Sequence, residues 1–180
     1  MILYGRHRAS EARERSSRAS EPRSSKTGNA PRSALVYITN ARMPTEKAHG
    51  LQIMKTCEAL VRAGHELTLV VPRRRNSIPA DPFAYWNIPK LFPIRRLPTL
   101  DLIRYGRLGF LVQAFTFALA ASLALSRRGY RIIYGRDEVV LCILSLLGFG
   151  NIVWESHDGA WNRCARLVAH RSRALVVVSH

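Results

Sequence analysis

Carboxylates are scarce in this chain. Twelve Asp and Glu face 28 Lys and Arg across 180 residues, a formal net charge of +16. Such an excess points to a polyanionic partner: nucleic acid, an anionic membrane face or phosphorylated ligands. Charge alone does not choose among them. Cysteine is scarce too. Cys57, Cys142 and Cys164 form an odd, scattered set, which excludes a disulfide scaffold and argues for a reducing compartment. The histidines stand far apart and no Cys/His cluster has zinc spacing, so no metal site is expected. No secretory signal is expected either, because the apolar Met1–Tyr4 run meets Arg6 and Arg8 too soon for an h-region. The chain also lacks both glycine-rich phosphate signatures, G-x-G-x-x-G and G-x-x-x-x-G-K-[ST]. Dinucleotide and P-loop readings thereby lose their main support.

Large apolar residues are almost absent between Tyr4 and residue 33. That segment is rich in Arg, Ser, Glu and Ala, with eight Lys/Arg against three Glu, a local charge of 8 − 3 = +5. It cannot bury enough apolar surface to offset its ordering entropy, so residues 1–33 read as a disordered basic extension. A nucleic-acid or membrane tail is the functional alternative.

From Ala34 the pattern changes. The run Ala34–Thr39 is continuously apolar and β-rich, as in a strand covered on both faces. Residues 51–63 predict a helix with Leu51, Met54, Cys57 and Val61 on one face, closed by Gly64. Leu67–Val71 is the next strand, ended by Pro72. Residues 73–100 are proline-rich and irregular, with a short strand near 94–97. A helix over about 102–126, a strand at 131–134, a helix at 138–147, a strand at 151–154, a helix at 160–170 and a strand at 174–178 complete the alternation. The helix at 160–170 sets Trp161, Cys164, Ala165 and Val168 on one face. Strands alternating with helices predict a doubly wound, mostly parallel α/β sheet of Rossmann type, with 34–39 central and flanked by 67–71 and 131–134.

Ligands in such sheets bind beyond the carboxyl ends of the strands. Here those ends carry Asn40–Gly50, Arg73–Arg75, Gly135–Asp137 and Glu155–Asp158. Basic and polar groups thus converge on one edge, the layout of an anion-binding cleft. Gly50 sits where the first helix starts, and a helix N-terminus favours phosphate.

Three stretches, Arg42–Lys55 with Cys57-Glu-Ala-Leu60, Gly64–Pro72 and the strand ends Ile132–Asp137, Val153–Asp158 and Val176–Ser179, together resemble the N-terminal domain of family 4 glycosyltransferases of GT-B fold. The resemblance spans about 34–180. It implies the acceptor-side half of a retaining enzyme that moves a sugar from a nucleotide-sugar donor to a lipid-linked, glycan or small-molecule acceptor, without metal or other cofactor. Gly50, with Arg136, would face the donor diphosphate. His157 would lie beside the transferred sugar, with Glu155 as its motif companion. Glu46, Lys47 and His49 would shape the acceptor site. The family's nucleotide-gripping second domain has no counterpart in these residues, so activity of this chain alone is not expected. A cytoplasmic location is expected, at the inner face of the cell membrane with peripheral contact to anionic lipid.

Leu108–Leu125 holds Gln113, Thr116 and Ser122 as its polar side chains apart from Gly109, and Arg104, Arg107, Arg127 and Arg128 flank it. Eighteen helical residues span about 27 Å, barely a bilayer core. Its place in the α/β alternation favours a helix buried between sheet and neighbours, or one facing a missing second half, over membrane insertion or surface docking. Two other classes compete with the transferase reading: a non-catalytic nucleic-acid-binding module, and a small membrane-anchored protein. Against the first stands the lack of any helix-turn-helix, zinc or base-stacking signature, so no nucleic-acid partner is expected.

Overall fold

In the computed structural model, residues 34–156 and 162–177 are described. The predicted extension at 1–33 and the residues His157, Asp158 and Trp161 lie outside them. Six short apolar runs form one all-parallel sheet: β1 (Ala34–Ile38), β2 (Glu66–Pro72), β3 (Ile94–Leu97), β4 (Ile132–Gly135), β5 (Ile152–Ser156) and β6 (Ala174–Val177). Their order is β3-β2-β1-β4-β5-β6. β1 is central and flanked by β2 and β4, as predicted, with Tyr37 opposite both Leu69 and Tyr134. Strand order reverses at β1/β4, which is the topological switch point of a doubly wound sheet.

The helices cover both faces. α1 (Ala48–Arg62) and the short α2 (Pro82–Tyr85) lie on one, over a core that includes Tyr37, Ile53, Met54, Cys57 and Leu69. α3 (Gly106–Ser126), α4 (Glu138–Leu146) and α5 (Arg163–Arg171) lie on the other, over Val36, Ile38, Phe117, Leu141 and Val168. Alternate residues of β1 serve the two cores, Tyr37 on one side and Val36 and Ile38 on the other. This is why its sequence is apolar without alternation.

Three expectations need correction. α1 starts three residues before the predicted residue 51, so Gly50 lies inside its first turn. Its buried stripe is Ile53, Met54 and Cys57, while Leu51 is exposed. Met54 and Cys57 are buried as predicted and Val61 packs against the same core; Ile53 joins them, and Leu51 falls at the edge of the stripe. The irregular stretch 73–100 holds a helical turn, α2, that was not foreseen. Asp81 caps it, its carboxylate accepting from the Phe83 and Ala84 amides, with Pro82 at the first position. The long apolar helix is half embedded: one face is core and the other is open.

Candidate active site

The carboxyl ends of β1 and β4 open a cleft of about 580 Å³. That volume suits a small-molecule site at a switch point. Gly135 lets the two strands close tightly there, because a Cβ at this position would stand 2.7 Å from the Ile38 carbonyl oxygen.

Polar groups tie the strand ends together. Thr39 Oγ1 donates to Asp137 Oδ2 at 2.9 Å, and the Asn40 amide N–H donates to the same oxygen at 2.7 Å. The Asn40 side chain forms a reciprocal amide pair with Gln113 of α3, at 2.8 and 2.7 Å. Burial pushes the Asp137 carboxyl above the usual range, against the lowering effect of those two donors. Asp137 therefore fastens the β4 end to the β1 end, and the amide pair fastens α3 to the same point.

Cations dominate the walls. Arg42 is bound by Glu46 at 2.8 Å and Arg74 by Asp101 at 3.2 Å. Lys47 and Arg136 also line the cleft and form no ion pair among the described residues. Arg136 instead donates to the neutral Gln52 Oε1 at 3.1 Å. Half-buried His49 stands in the same wall. Desolvation first, then the charges of Arg136 and Lys47, hold its pKa below the ordinary value, so the imidazole is neutral near pH 7. The start of α1 adds the Ala48 and His49 N–H groups, which precede any intrahelical acceptor. The cleft offers two cations without ion-pair partners among the described residues, a neutral imidazole and a helix N-terminus. Such a wall can bind an anion and exchange a proton beside it.

The predicted site residues divide. Arg136, Lys47 and His49 line the cleft. Glu46 lies outside its lining, exposed and spent on Arg42, with Ser77 Oγ at 3.5 Å. Gly50 does not give a ligand access to the backbone. Its N–H already donates to the Lys47 carbonyl at 3.0 Å. A Cβ there would strike Thr45 Cγ2 and stand 2.8 Å from Trp86 Cζ2. The glycine is required by the packing of Trp86 onto α1. Glu155 is buried on the α1 side of the sheet, 4% exposed, with Tyr37 Oη at 3.5 Å and a hydrogen bond from Tyr134. It helps push both phenols far above their usual range, after burial itself. Glu155, expected as a catalytic residue with His157, is therefore set beneath the sheet and is not among the residues that line the cleft. His157 lies outside the described residues; Ser156 before it lines the cleft.

Asn40, Gln113 and Asp137 were not assigned roles from sequence. One amide inside the apolar run 108–125 was the available signal for Gln113, since a buried amide must find a partner.

No protein-family model and no curated protein matches the chain by sequence. Solved structures match by fold. Apo UGT2 of Phytolacca americana superposes with TM-score 0.51 at 14% identity, over 69% of this chain and 29% of that one. The same enzyme complexed with UDP-2-fluoro-glucose and pterostilbene gives 0.51 at 15%, over 69% and 30%. Sucrose-phosphate synthase from Thermosynechococcus elongatus gives 0.50 at 16%, over 72% and 33%. This is the Rossmann-like fold of a GT-B half. The chain spans about a third of the length of these neighbours.

Proposed function

We propose that the chain is the acceptor-side half of a retaining GT-B glycosyltransferase, and that the switch-point cleft is its half of the transfer site. The observation that carries this is the wall of Lys47, His49, Arg136 and the α1 N-terminus, in a fold that solved glycosyltransferases share. Sugar transfer needs a nucleoside diphosphate to leave while positive charge grows on the sugar. Arg136 and the first N–H groups of α1 suit the leaving diphosphate, supplying fixed positive charge where negative charge develops. Lys47 suits an acceptor phosphate or hydroxyl, and neutral His49 can accept a hydrogen bond or proton from an acceptor hydroxyl. His157 keeps the role that the resemblance implies, beside the transferred sugar. No cofactor is needed for this chemistry. The acceptor is a lipid-linked, glycan or small molecule, met at the cytoplasmic face of the membrane.

Two-domain sites gain their effective concentration when both halves close. The 180-residue chain alone therefore gives no turnover. A radiolabelled-sugar assay with a panel of nucleotide sugars and membrane extract tests this. Robust transfer by the purified chain, abolished by Arg136→Ala, would contradict the division of labour.

A further inference from the structure

α3 has two faces, and one has no partner within the described residues. Ala114, Phe117, Ala118 and Ala121 are fully buried under the helix. Leu108 (72% exposed), Leu111 (44%), Phe115 (51%), Leu119 (38%) and Leu123 (63%) face outward. Their spacing confines them to an arc of roughly 120° at about 100° per residue, one continuous stripe. An 18-residue stretch within Ile103–Ser126 has mean hydropathy 2.0, in the range of a membrane-crossing helix. Crossing is excluded by the other face. Gln113 is locked to Asn40, Thr99 Oγ1 donates to the Gln113 carbonyl at 3.0 Å, and Phe117 sits in the core. The helix cannot leave the sheet without stranding those polar groups.

Charge identifies the occupant. No carboxylate occurs between Asp101 and Asp137. Exposed Arg104 and Arg107 stand at one end of the stripe, and exposed Arg127 and Arg128 at the other. Tyr105, 61% exposed, adds an amphipathic ring beside Arg104. A second copy of the chain is a poor fit. Packed parallel or antiparallel along α3, two copies would set arginines against arginines with no carboxylate between them. Anionic lipid satisfies both halves of the pattern: acyl chains take the leucines and Phe115, and headgroup phosphates take the arginines.

We infer that α3 lies flat on an anionic bilayer through the stripe Leu108, Leu111, Phe115, Leu119 and Leu123. Phe110, near the start of α3, and Ile103, in the turn that leads into it, line the cleft. The docked surface thus runs to the cleft mouth. If the cleft is the transfer site proposed above, a lipid-borne acceptor reaches it from the bilayer without leaving the surface.

Sedimentation of the full chain with vesicles tests the docking, comparing mixed phosphatidylglycerol–phosphatidylcholine with pure phosphatidylcholine. The wild type binds the anionic vesicles, less strongly as salt rises, and leaves the neutral ones largely unbound. Leu111→Gln/Phe115→Gln/Leu119→Gln keeps every charge, including the basic segment 1–33, and lowers the partition coefficient at least about tenfold. Thermal melting confirms that the variant is folded. If it is not, Leu108→Gln/Leu123→Gln, at the two most exposed positions, is read in its place. Undiminished vesicle binding by the folded stripe variant would overturn the inference. So would a wild type that ignores anionic vesicles, or one whose stripe variant changes a dimer to a monomer in light scattering while vesicle binding is unaltered. Vesicle binding is read without sugar transfer, so failure of the transferase reading and failure of the docking are separate results.

Discussion

His49 sits between two cations in a partly dry wall, and its pKa is set by that position. The native state binds fewer protons there than the unfolded chain, whose imidazole titrates near about 6.5. The contribution of His49 to stability is therefore complete above that pH. It is lost as the pH falls through about 6.5 toward the lower folded value. His49→Gln should flatten this part of the pH dependence, seen as a smaller fall in Tm between about pH 7.5 and 5.5. A variant with the wild-type pH slope would show that His49 is not held neutral. The same position makes His49 a reporter. An anion bound between Lys47 and Arg136 offsets their charge, so phosphate should raise the His49 pKa in an NMR titration.

Elements were more legible than contacts. β1 could be read because a central parallel strand is apolar on both faces, and its neighbours followed from the β-α-β alternation. Residues 94–97 were found as a strand because prolines bracket them. The start of α1, and with it Leu51, was misread because its first turn lacks an apolar signal: Ala48, His49 and Gly50 look like loop. Gly50 itself looked like a ligand-facing glycine because nothing local reveals that Trp86, 36 positions later, packs on it. Glu155 was misplaced for a related reason. A strand-end carboxylate can point to the cleft or beneath the sheet, and the strand's exact end decides which. For α3 the composition was plain but the face was not, since a helix apolar all round has no moment to read. Its orientation can be tested by two substitutions on one helix. Phe117→Ala removes a fully buried ring and should cost about 3–5 kcal/mol. Phe115→Ala, two residues away and half exposed, should cost less than about 1 kcal/mol in the absence of lipid. Equal losses in denaturant unfolding would mean that the helix is turned otherwise.

At the scale of the whole molecule, the order β3-β2-β1-β4-β5-β6 decides where chemistry can occur. It places the loops after β1 and β4 side by side, and brings Lys47, His49 and Arg136 together from positions 89 residues apart, 136 − 47. The same topology puts α3 on the opposite face from α1, with its first turn at the cleft. The apolar stripe of α3 and a charged cleft therefore meet at one corner of the sheet. Among the described residues β6, with Val177 67% exposed, is an edge strand of this sheet. The claim that the switch-point cleft receives a nucleotide sugar's diphosphate is tested most directly by amide NMR of the labelled chain titrated with UDP. Weak, salt-sensitive binding is expected, with shifts concentrated at Ala48, His49, Arg136 and Asp137, and lost in Lys47→Ala/Arg136→Ala. Saturable binding that leaves those amides unmoved, or that survives the double substitution, would contradict it.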